Sequence, residues 1–447
     1  MTGHRFIAGL IIFAAAGALF ACRTEPPRPA IPAAAAAGVV TPGIDVLLAK
    51  HSDLIRGKKI GLITNPSGVG RDLRSTIELL RSVPEAKLVA LYGPEHGVRG
   101  NAQAGVFVQV FRDEKLGLPV FSLYGPTMKP PAEMFKNVDE YMRTFDTTHE
   151  DKKIDADMTK GLDVLIFDIQ DVGTRVYTYE ATMAYAMQAA AEAGIDYIVL
   201  DRPNPIGGTI LEGPILEYPE FSSFVGLYAV PLRFGLTIGE LARMYNDLYL
   251  EKKAKLTVIP MEGWTREMWF DQTGLPWVVP SPNIPSLESA VVYPGQVFFE
   301  GTNISEGRGT TKPFEFFGAP WIDAYDLTKA LNALGLPGVA FREQWFTPTF
   351  SKFSGLNCGG CQIHVTDRNA YRPLATTLHI IKTIRDSYPG KFEFHAKYFD
   401  KIMGTSSVRT ALEAGKAVNE IVAGFEAGLK GFEERRKPYL LYSDRVH

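Results

Sequence analysis

From residue 43 onward the chain alternates short apolar stretches with segments of helical periodicity. Five stretches that are nearly continuous in apolar residues predict β-strands at residues 59–64, 87–92, 119–123, 164–169 and 197–200, and a further strand at residues 256–260 is expected to close the domain. This pattern is typical of strands that are buried on both faces of a parallel sheet. Helices are predicted between them at residues 73–82 and 179–193, the second ending at Gly194. The alternation therefore predicts a Rossmann-like, mostly parallel α/β domain.

The pattern changes after residue 263. Residues 264–320 are rich in Pro, Gly, Asn and aromatic residues and contain few periodic segments. The rest of the chain predicts a helix at 324–334, a strand at 362–366, a helix at 374–385 and one amphipathic helix at 412–435. We therefore predict a Rossmann-like domain over residues 43–263 and a smaller α+β C-terminal domain over residues 264–447.

The first residues have the features of a bacterial export signal. His4 and Arg5 precede an apolar run over residues 6–20, which is short for a membrane span. The run ends at residues 19–22 (LFAC), the lipobox pattern in which the cysteine is acylated and becomes the new N-terminus. This predicts a lipoprotein signal peptide over residues 1–21 and lipidation of Cys22. An ordinary secretory signal with an incidental cysteine is the alternative.

Residues 22–42 are rich in Pro and Ala and carry few charges, so we interpret them as an extended tether rather than as part of a folded domain. The expected location is the cell envelope, with the protein lipid-anchored on the periplasmic side of a bacterial membrane or exported. The membrane would then be a partner through the N-terminal lipid.

Composition limits the other partners. Apolar residues make up 46% and charged residues 22% of the chain, and the formal net charge is −3. Binding to nucleic acid calls for a basic face, which this balance does not favour. The sequence predicts no nucleic-acid partner.

Polar motifs follow five of the predicted strands. They are residues 65–68 (NPSG), 93–97 (GPEHG), 124–126 (YGP), 168–175 (DIQDVGTR) and 201–205 (DRPNP). In open α/β sheets, ligands bind in the crevice outside the carboxyl ends of the strands. The sequence therefore predicts a functional site at this rim.

Several classes of site do not fit the motifs. The glycines at 68 and 70 do not complete the G-x-G-x-x-G motif of a dinucleotide-binding site, because position 73 is leucine. Residues 307–312 (GRGTTK) do not match the motif of a phosphate-binding loop. No G-x-S-x-G or H-E-x-x-H motif is present. A metal held by Glu95, His96, Asp168 and Asp171 is disfavoured because only one histidine is available. We expect neither a metal nor an organic cofactor.

The pair Cys358 and Cys361 has a C-x-x-C spacing but leads into a strand rather than a helix, so a redox role is not expected. A local disulfide and two structural thiols both remain open.

Carboxylate chemistry fits the rim better. Hydrolysis of a glycoside needs one carboxylic acid that protonates the leaving oxygen and, in most families, a second carboxylate. Glu95 lies in a turn framed by Gly and Pro, directly after an apolar strand, where burial favours a protonated acid. Its alternative role is a structural carboxylate that ties the turn to Arg99 or His96.

These motifs, together with four further segments, resemble one protein family. The motifs are 61–68 (GLITNPSG), 93–97 (GPEHG), 167–179 (FDIQDVGTRVYTY), 200–205 (LDRPNP), 212–214 (EGP), 281–285 (SPNIP) and 300–310 (EGTNISEGRGT). The chain is similar over residues 45–445 to the exo-β-N-acetylmuramidases, a glycoside hydrolase family formerly known as a domain of unknown function. The resemblance implies a cleft between the two domains, release of N-acetylmuramic acid (MurNAc) from the non-reducing ends of peptidoglycan fragments, and no organic cofactor.

The resemblance also implies that Glu95 is catalytic. As second carboxylates we consider Asp168, Asp171 and Glu306, and as a group that tunes Glu95 we consider His96. Arg175 and Arg308 are candidates for binding the lactyl carboxylate of MurNAc, since a guanidinium meets a carboxylate with two hydrogen bonds; a salt bridge that ties a loop is the alternative for each. Further candidates for substrate binding are Asn65, Tyr177, Asp201, Asn204, Asn283 and Asn303.

A second function remains open at this point. A lipoprotein that binds muropeptides without cleaving them would use aromatic side chains and arginines in the same way. A binding protein, however, has no need of an acid in an apolar frame such as Glu95.

Overall fold

The computed structural model describes residues 39–125, 128–138, 141 and 161–444. The predicted signal peptide, Cys22 and most of the tether lie outside the described residues, so these remain predictions. Within the described residues no helix is both long and apolar enough to cross a membrane.

Twelve named strands lie in the described part of the chain: β1 Lys59–Thr64, β2 Lys87–Gly93, β3 Phe111–Asp113, β4 Leu118–Ser122, β5 Val164–Asp168, β6 Asp196–Leu200, β7 Glu212–Ile215, β8 Pro231–Arg233, β9 Lys255–Ile259, β10 Phe316–Ala319, β11 Val339–Phe346 and β12 Cys358–Val365.

The α-helices of the described residues are α1 Gly43–Lys50, α2 Thr76–Arg81, α3 Glu133–Lys136, α4 Tyr179–Ala193, α5 Ile238–Leu248, α6 Leu287–Gln296, α7 Ala324–Ala333, α8 Pro373–Ser387, α9 Ala396–Met403, α10 Ser407–Glu413, α11 Val418–Ala423 and α12 Glu426–Arg436. Short 3-10 helices cover Ser52–Leu54, Phe270–Gln272, Val297–Gly301 and Lys437–Tyr439.

Seven strands form the main sheet in the order β3-β4-β2-β1-β5-β6-β9. Every neighbouring pair is parallel except β3 with β4 at one edge. All six predicted strands are present, with ends within one residue of those predicted. The prediction of a Rossmann-like, mostly parallel sheet is therefore confirmed.

Helices cover both faces of this sheet. Alternate residues of β1 point to opposite faces, so Ile60 and Leu62 pack in one apolar cluster with α1 and α2, whereas Ile63 belongs to the other. That second cluster contains the buried alanine and methionine side chains of α4. Burial on both faces explains why the strand sequences are continuously apolar.

Helix α2 begins three residues later than predicted. Leu73 has a left-handed φ of 65°, which a helix does not accommodate. Ser75 then caps the helix, because its side chain accepts a hydrogen bond from the backbone N–H of Glu78 at 3.2 Å.

The C-terminal domain contains a three-stranded antiparallel sheet in the order β10-β12-β11. Helix α7 packs on β11 and β12, and α8 packs against both α7 and α6. The expected smaller α+β domain is confirmed. The boundary after residue 263 stays a prediction.

Cys358 and Cys361 are both free and buried. They lie three residues apart on β12, and an odd spacing along a strand directs the two side chains to opposite faces. The Cys361 thiol contacts the hydroxyl of Thr328 at 3.2 Å instead. Of the two open alternatives, the structure therefore has two separate thiols.

The prediction of one helix over residues 412–435 is wrong. The segment contains the end of α10 and then α11 and α12 as separate helices. Gly415 has a left-handed φ of 78° after α10, and such a residue ends a helix because it turns the chain out of the helical path.

Candidate active site

The turns that follow β2, β4 and β5 open into a cavity of about 450 Å³. These turns contribute Glu95, Tyr124 and Thr178 to its wall. The opposite wall comes from the later part of the chain, including residues 281–284, 297–314 and 351–352. The ends of these three strands therefore face residues 281–284 and 297–314 across the cavity.

The turn that carries Glu95 leaves little room for other conformations. A side chain at Gly93 would lie 2.7 Å from the backbone nitrogen of Val98. His96 has a left-handed φ of 74°, which few residues other than glycine adopt. Strained backbone of this kind often lies at functional sites.

The two oxygens of the Glu95 carboxyl group have different partners. The backbone N–H of Gly105 donates to Oε1 at 2.9 Å, and the hydroxyl of Thr178 lies 2.9 Å from Oε2. The amide fixes Oε1 as an acceptor, but a hydroxyl both donates and accepts. The Thr178 hydroxyl donates to Oε2 here, but unlike the amide it is able to turn and accept a hydrogen bond from a protonated Oε2.

The imidazole of His96 is buried, and its environment favours the neutral form. Its Nδ1 lies 2.8 Å from the carbonyl oxygen of Ala102, and because a carbonyl only accepts, the proton is on Nδ1. Burial lowers the pKa of His96, although the charge of Glu95 acts in the opposite direction. The neutral ring then has an unprotonated Nε2.

Two carboxylates and two cations form the opposite wall. Arg308 donates from Nη2 to Oε1 of Glu300 at 2.7 Å, and its Nε lies 3.4 Å from Oε1 of Glu306. Burial acts against the charge of the guanidinium, but Glu300 and Glu306 outweigh it and raise the pKa of Arg308. The guanidinium also lies over the ring of Phe314, 5.0 Å from its centroid.

Lys352 has no hydrogen left to donate to a ligand. Its ammonium contacts Oε2 of Glu306 at 3.0 Å and the carbonyl oxygens of Phe299 and Ile304 at 2.6 and 2.9 Å. An ammonium has three N–H groups, and all three are used. Arg308 still has unused N–H groups, so it is the cation of this wall that is able to bind an anion.

Aromatic rings form much of the remaining wall. Tyr177 and Tyr293 meet edge to face at 5.7 Å between centroids, and Tyr293 meets Phe314 at 4.8 Å. Tyr398 donates its hydroxyl to Oε2 of Glu300 at 3.0 Å. A wall of flat apolar rings with polar edges suits a sugar, which has both apolar C–H faces and hydroxyl groups.

Six of the candidate residues from the sequence line this cavity: Glu95, His96, Tyr177, Asn283, Glu306 and Arg308. Asn283 donates to the side chain of Gln103 at 3.4 Å and so joins the two walls.

Two candidate carboxylates have other partners. Asp168 is fully buried and accepts from Arg202 at 2.6 and 2.9 Å, and it also accepts from the hydroxyl of Thr76. Asp171 accepts from the backbone N–H of Gly173 at 2.6 Å, and burial raises its pKa to about 8. Neither lines the cavity, so of the proposed second carboxylates only Glu306 is in a position to meet a ligand there.

Arg175 is a structural residue rather than a ligand-binding one. Its guanidinium is fully buried, and its two terminal nitrogens donate to four backbone carbonyl oxygens, those of Pro214, Val230, Ile402 and Met403. Burial lowers its pKa to about 10. The expectation that Arg175 binds the lactyl carboxylate of MurNAc is therefore wrong, because no N–H of its terminal nitrogens is free to make the contact.

The four remaining candidates support loops and do not line the cavity. Asp201 accepts from Thr237, Gly239 and Tyr442, and burial raises its pKa to about 7. The amides of the other three donate to carbonyl oxygens: Asn65 to Pro280 at 2.9 Å, Asn204 to Leu236 at 2.8 Å and Asn303 to Lys391 at 2.7 Å.

Several cavity residues with polar side chains were not among the candidates, and they include Thr178, Tyr293, Glu300, Lys352 and Tyr398. Thr178 and Glu300 lie inside motifs that had been recognised, so the motifs could have indicated them. Lys352 and Tyr398 lie in segments without a sequence signal. Among the described residues, no group of three or more His, Cys, Asp or Glu side chains is placed to hold a metal ion.

A cavity at the carboxyl ends of a Rossmann-like sheet, with several carboxylates and aromatic walls, has the features that a glycoside hydrolase site requires. Comparison with known proteins identifies the family. The N-terminal family model of the exo-beta-N-acetylmuramidase NamZ matches residues 60–146 and 141–288, and its C-terminal model matches residues 291–442. The chain belongs to the NamZ exo-beta-N-acetylmuramidase family and is a glycosidase. The resemblance that the motifs indicated is thereby confirmed.

Individual relatives cover nearly the whole chain. The peptidoglycan beta-N-acetylmuramidase NamZ of Bacillus subtilis (strain 168) is 53% identical over 404 residues, which are 90% of this chain and 91% of that protein. Two crystal structures of DUF1343 family proteins from Bacteroides fragilis NCTC 9343 are similar in fold. One has a TM-score of 0.80 at 37% identity and the other 0.69 at 29%, each over 91% of this chain and 100% or 99% of the other.

Proposed function

We propose that the protein hydrolyses the β-glycosidic bond that joins a terminal MurNAc to the rest of a peptidoglycan fragment, releasing MurNAc from the non-reducing end during cell-wall turnover. The observation that carries this proposal is the environment of Glu95, a carboxyl group in a cavity, with one oxygen fixed by an amide and the other beside a hydroxyl. The family name and the B. subtilis relative support the same substrate.

Glu95 acts as the proton donor in this proposal. The oxygen of the leaving sugar takes the proton from Oε2 as its bond to the anomeric carbon breaks, and the anomeric carbon receives the hydroxyl group of a water. The second proton of that water restores Glu95, so the reaction consumes one water and leaves the enzyme unchanged. Thr178 and Gly105 hold the carboxyl group in place during the transfer.

Glu306 supplies the second carboxylate. It has two cationic partners, Arg308 and Lys352, at 3.4 and 3.0 Å, and both stabilise a negative charge on it. A negative carboxylate in the cavity wall in turn stabilises the positive charge that develops on the sugar ring in the transition state. Glu300 contributes to the same field through its contact with Arg308.

Arg308 is the group that recognises MurNAc. This sugar differs from N-acetylglucosamine (GlcNAc) by a lactyl ether that ends in a carboxylate. Arg308 faces the cavity with unused N–H groups, while Lys352 is saturated and Arg175 is buried elsewhere. A guanidinium binds a carboxylate through two parallel hydrogen bonds, which favours the lactyl group over a neutral substituent.

The proposal is tested with the purified protein and two glycans that differ only in their end. On a labelled glycan with MurNAc at the non-reducing end, we expect free MurNAc as the first product, measured by mass spectrometry. On the matched glycan with GlcNAc at that end, we expect no release. Binding of the first glycan without any cleavage would instead identify a muropeptide-binding protein, and cleavage at internal bonds would contradict the exo mode.

We propose in addition that the mature protein is held in the cell envelope by a lipid on Cys22, as the lipobox at residues 19–22 indicates. The wild type should then partition into the detergent phase of a cell extract, and Cys22→Ala should not be lipidated. Aqueous partitioning of the wild type would contradict the anchor and would leave the enzymatic proposal unaffected.

A further inference from the structure

The size of the cavity limits how much of a substrate it encloses. Its volume of about 450 Å³ is near the lower end of the range for ligand sites, roughly 300–1,000 Å³. This is room for one sugar that carries N-acetyl and lactyl groups. If the enclosed sugar is the terminal MurNAc, the sugar on the other side of the scissile bond must contact the surface at the mouth.

Two loops contribute to the lining of the cavity. The first covers residues 101–110, and its Ala104 and Gly105 belong to the lining. The second covers residues 348–356, and its Ser351 and Lys352 belong to the lining. The neighbours of these four residues are therefore candidates for contact with a glycan that extends out of the cavity.

Both loops carry exposed apolar side chains beside the lining residues. Phe107, two positions after Gly105, is 49% exposed, and Phe350, next to Ser351, is 38% exposed. The Phe107 ring packs against Gly125, where an added Cβ would lie 3.0 Å from the ring. Gly125 follows Tyr124, which lines the cavity. Phe107 thus lies at the rim with part of its ring covered and the rest open.

The first loop is held in place before any ligand binds. His96 binds the carbonyl of Ala102 at 2.8 Å, Gln103 contacts Asn283 at 3.4 Å, and the amide of Gly105 binds Glu95 at 2.9 Å. A surface that is already ordered loses little entropy when a ligand binds to it. Single exposed apolar side chains are common on protein surfaces, so it is the position of Phe107 beside the cavity lining, and not its exposure alone, that carries the argument.

We propose that Phe107, with Phe350 of the second loop, forms the subsite for the leaving sugar, which is the GlcNAc next to the terminal MurNAc. One face of a pyranose ring presents C–H groups, and these pack on an aromatic ring as other apolar surfaces do. This proposal rests on the proposed function, because it assigns the second sugar of the same substrate.

The test compares two substrates in the full-length protein. The first is the MurNAc–GlcNAc disaccharide, and the second is the β-fluoride of MurNAc, whose leaving group is a single atom and cannot touch Phe107. We expect Phe107→Ala to lower kcat/KM for the disaccharide roughly tenfold, since it removes about half of the burial of a phenyl ring. The rate on the fluoride should change less than about twofold, because both the cavity and Glu95 are intact.

Two further variants serve as controls. Phe111→Ala removes a ring that is 40% exposed, four positions after Phe107, at the start of β3 and outside the cavity lining. This variant should not change the rate on either substrate. Phe107→Trp keeps an aromatic face and should retain the rate on the disaccharide.

The outcomes separate the two proposals. If Phe107→Ala hydrolyses the disaccharide at an unchanged rate, the proposed subsite is wrong. It is also wrong if the variant loses equal activity on both substrates, because the ring would then only support the loop and Glu95. A wild type that hydrolyses neither substrate would overturn the proposed function and the subsite with it.

Discussion

At the scale of single residues, Glu95 and Glu306 are both carboxylates of the cavity wall, but their neighbours differ in charge. Glu95 has an amide and a hydroxyl as partners, whereas Glu306 has a guanidinium and an ammonium. The partners of Glu95 are therefore uncharged, whereas two cations attract the carboxylate of Glu306. The environments therefore assign different tasks to two residues of the same type.

Arg308 should determine which sugar is accepted. We expect Arg308→Lys to lower kcat/KM for a nitrophenyl MurNAc glycoside about ten- to hundredfold, since hydrogen bonds between charged groups contribute roughly 1.5–3 kcal/mol. The rate on the matched GlcNAc glycoside, which has no lactyl carboxylate, should change much less. Steady-state kinetics on both glycosides measure the ratio.

Arg368→Lys is the matched control for this substitution, because Arg368 is a partly buried arginine outside the cavity lining that pairs with one carboxylate, that of Asp271. Equal losses of Arg308→Lys on both sugars would show that Arg308 only organises Glu300 and Glu306.

The sequence could indicate the rim of the site but not which side chains face the cavity. Arg175 and Arg308 both lie in glycine-containing motifs and are equivalent as candidates. The partners that make Arg175 structural are distant in the sequence. They include the backbone carbonyls of Ile402 and Met403, which are more than 220 residues away. Asp168 was likewise a candidate because its buried partner Arg202 could not be assigned from spacing alone.

At the scale of elements, the loop at residues 101–110 depends on His96. We expect His96→Asn to keep the left-handed backbone, which asparagine tolerates, but to lose the bond to Ala102. The amide of Gly105 would then hold Glu95 less well, so kcat should fall about tenfold while the melting temperature changes little.

A kcat–KM split checks this account of His96. Loss in kcat with a nearly constant KM fits a positioning role. A large rise in KM with an unchanged kcat would instead indicate that His96 binds the substrate directly.

Six of the seven strands of the main sheet were predictable to within one residue, because burial on both faces leaves a continuous apolar run in the inner ones, whereas the short edge strand β3 was not predicted. Helix α6 was not predictable from the sequence, because it contains Pro294 and Gly295, two residue types that disfavour the interior of a helix. The three C-terminal helices were predicted as one, because the apolar periodicity continues across Gly415 while the backbone does not. Helices whose ends depend on the backbone conformation of a single residue were thus difficult to predict from the sequence.

At the scale of the whole molecule, buried carboxyl groups should determine how stability depends on pH. Burial raises the folded-state pKa of Asp171 to about 8 and those of Glu180 and Asp201 to about 7, whereas the unfolded values are near 4. Between these values the folded state holds more protons than the unfolded state, so stability falls as pH rises. The lowered pKa of His96 has the opposite effect, since it makes stability rise with pH, but this effect is confined to pH values below about 6.5.

The melting temperature of the wild type should therefore decline between pH 6.5 and 8, and Asp171→Asn should decline less. Asp326→Asn, which changes an exposed carboxylate at the start of α7, should follow the wild type. Parallel curves for Asp171→Asn and the wild type would contradict the assignment of Asp171 as a buried, protonated group.

The central claim is that Glu95 donates the proton to the leaving sugar, and Glu95→Gln tests it most directly. Glutamine keeps the shape and the contact with Gly105 but has no acidic proton, so we expect turnover of the MurNAc–GlcNAc disaccharide to fall about a hundred- to ten-thousandfold. Binding and melting temperature should stay nearly unchanged, and Glu114→Gln, at an exposed glutamate outside the cavity, should behave as wild type.

The decisive measurement is the ratio of the Glu95→Gln rates on two leaving groups. A nitrophenyl MurNAc glycoside needs little protonation, so the variant should lose much less activity on it than on the disaccharide. Equal losses on both substrates would make Glu95 a nucleophile, and a disaccharide rate near that of the wild type would show that Glu95 is structural, which would contradict the account.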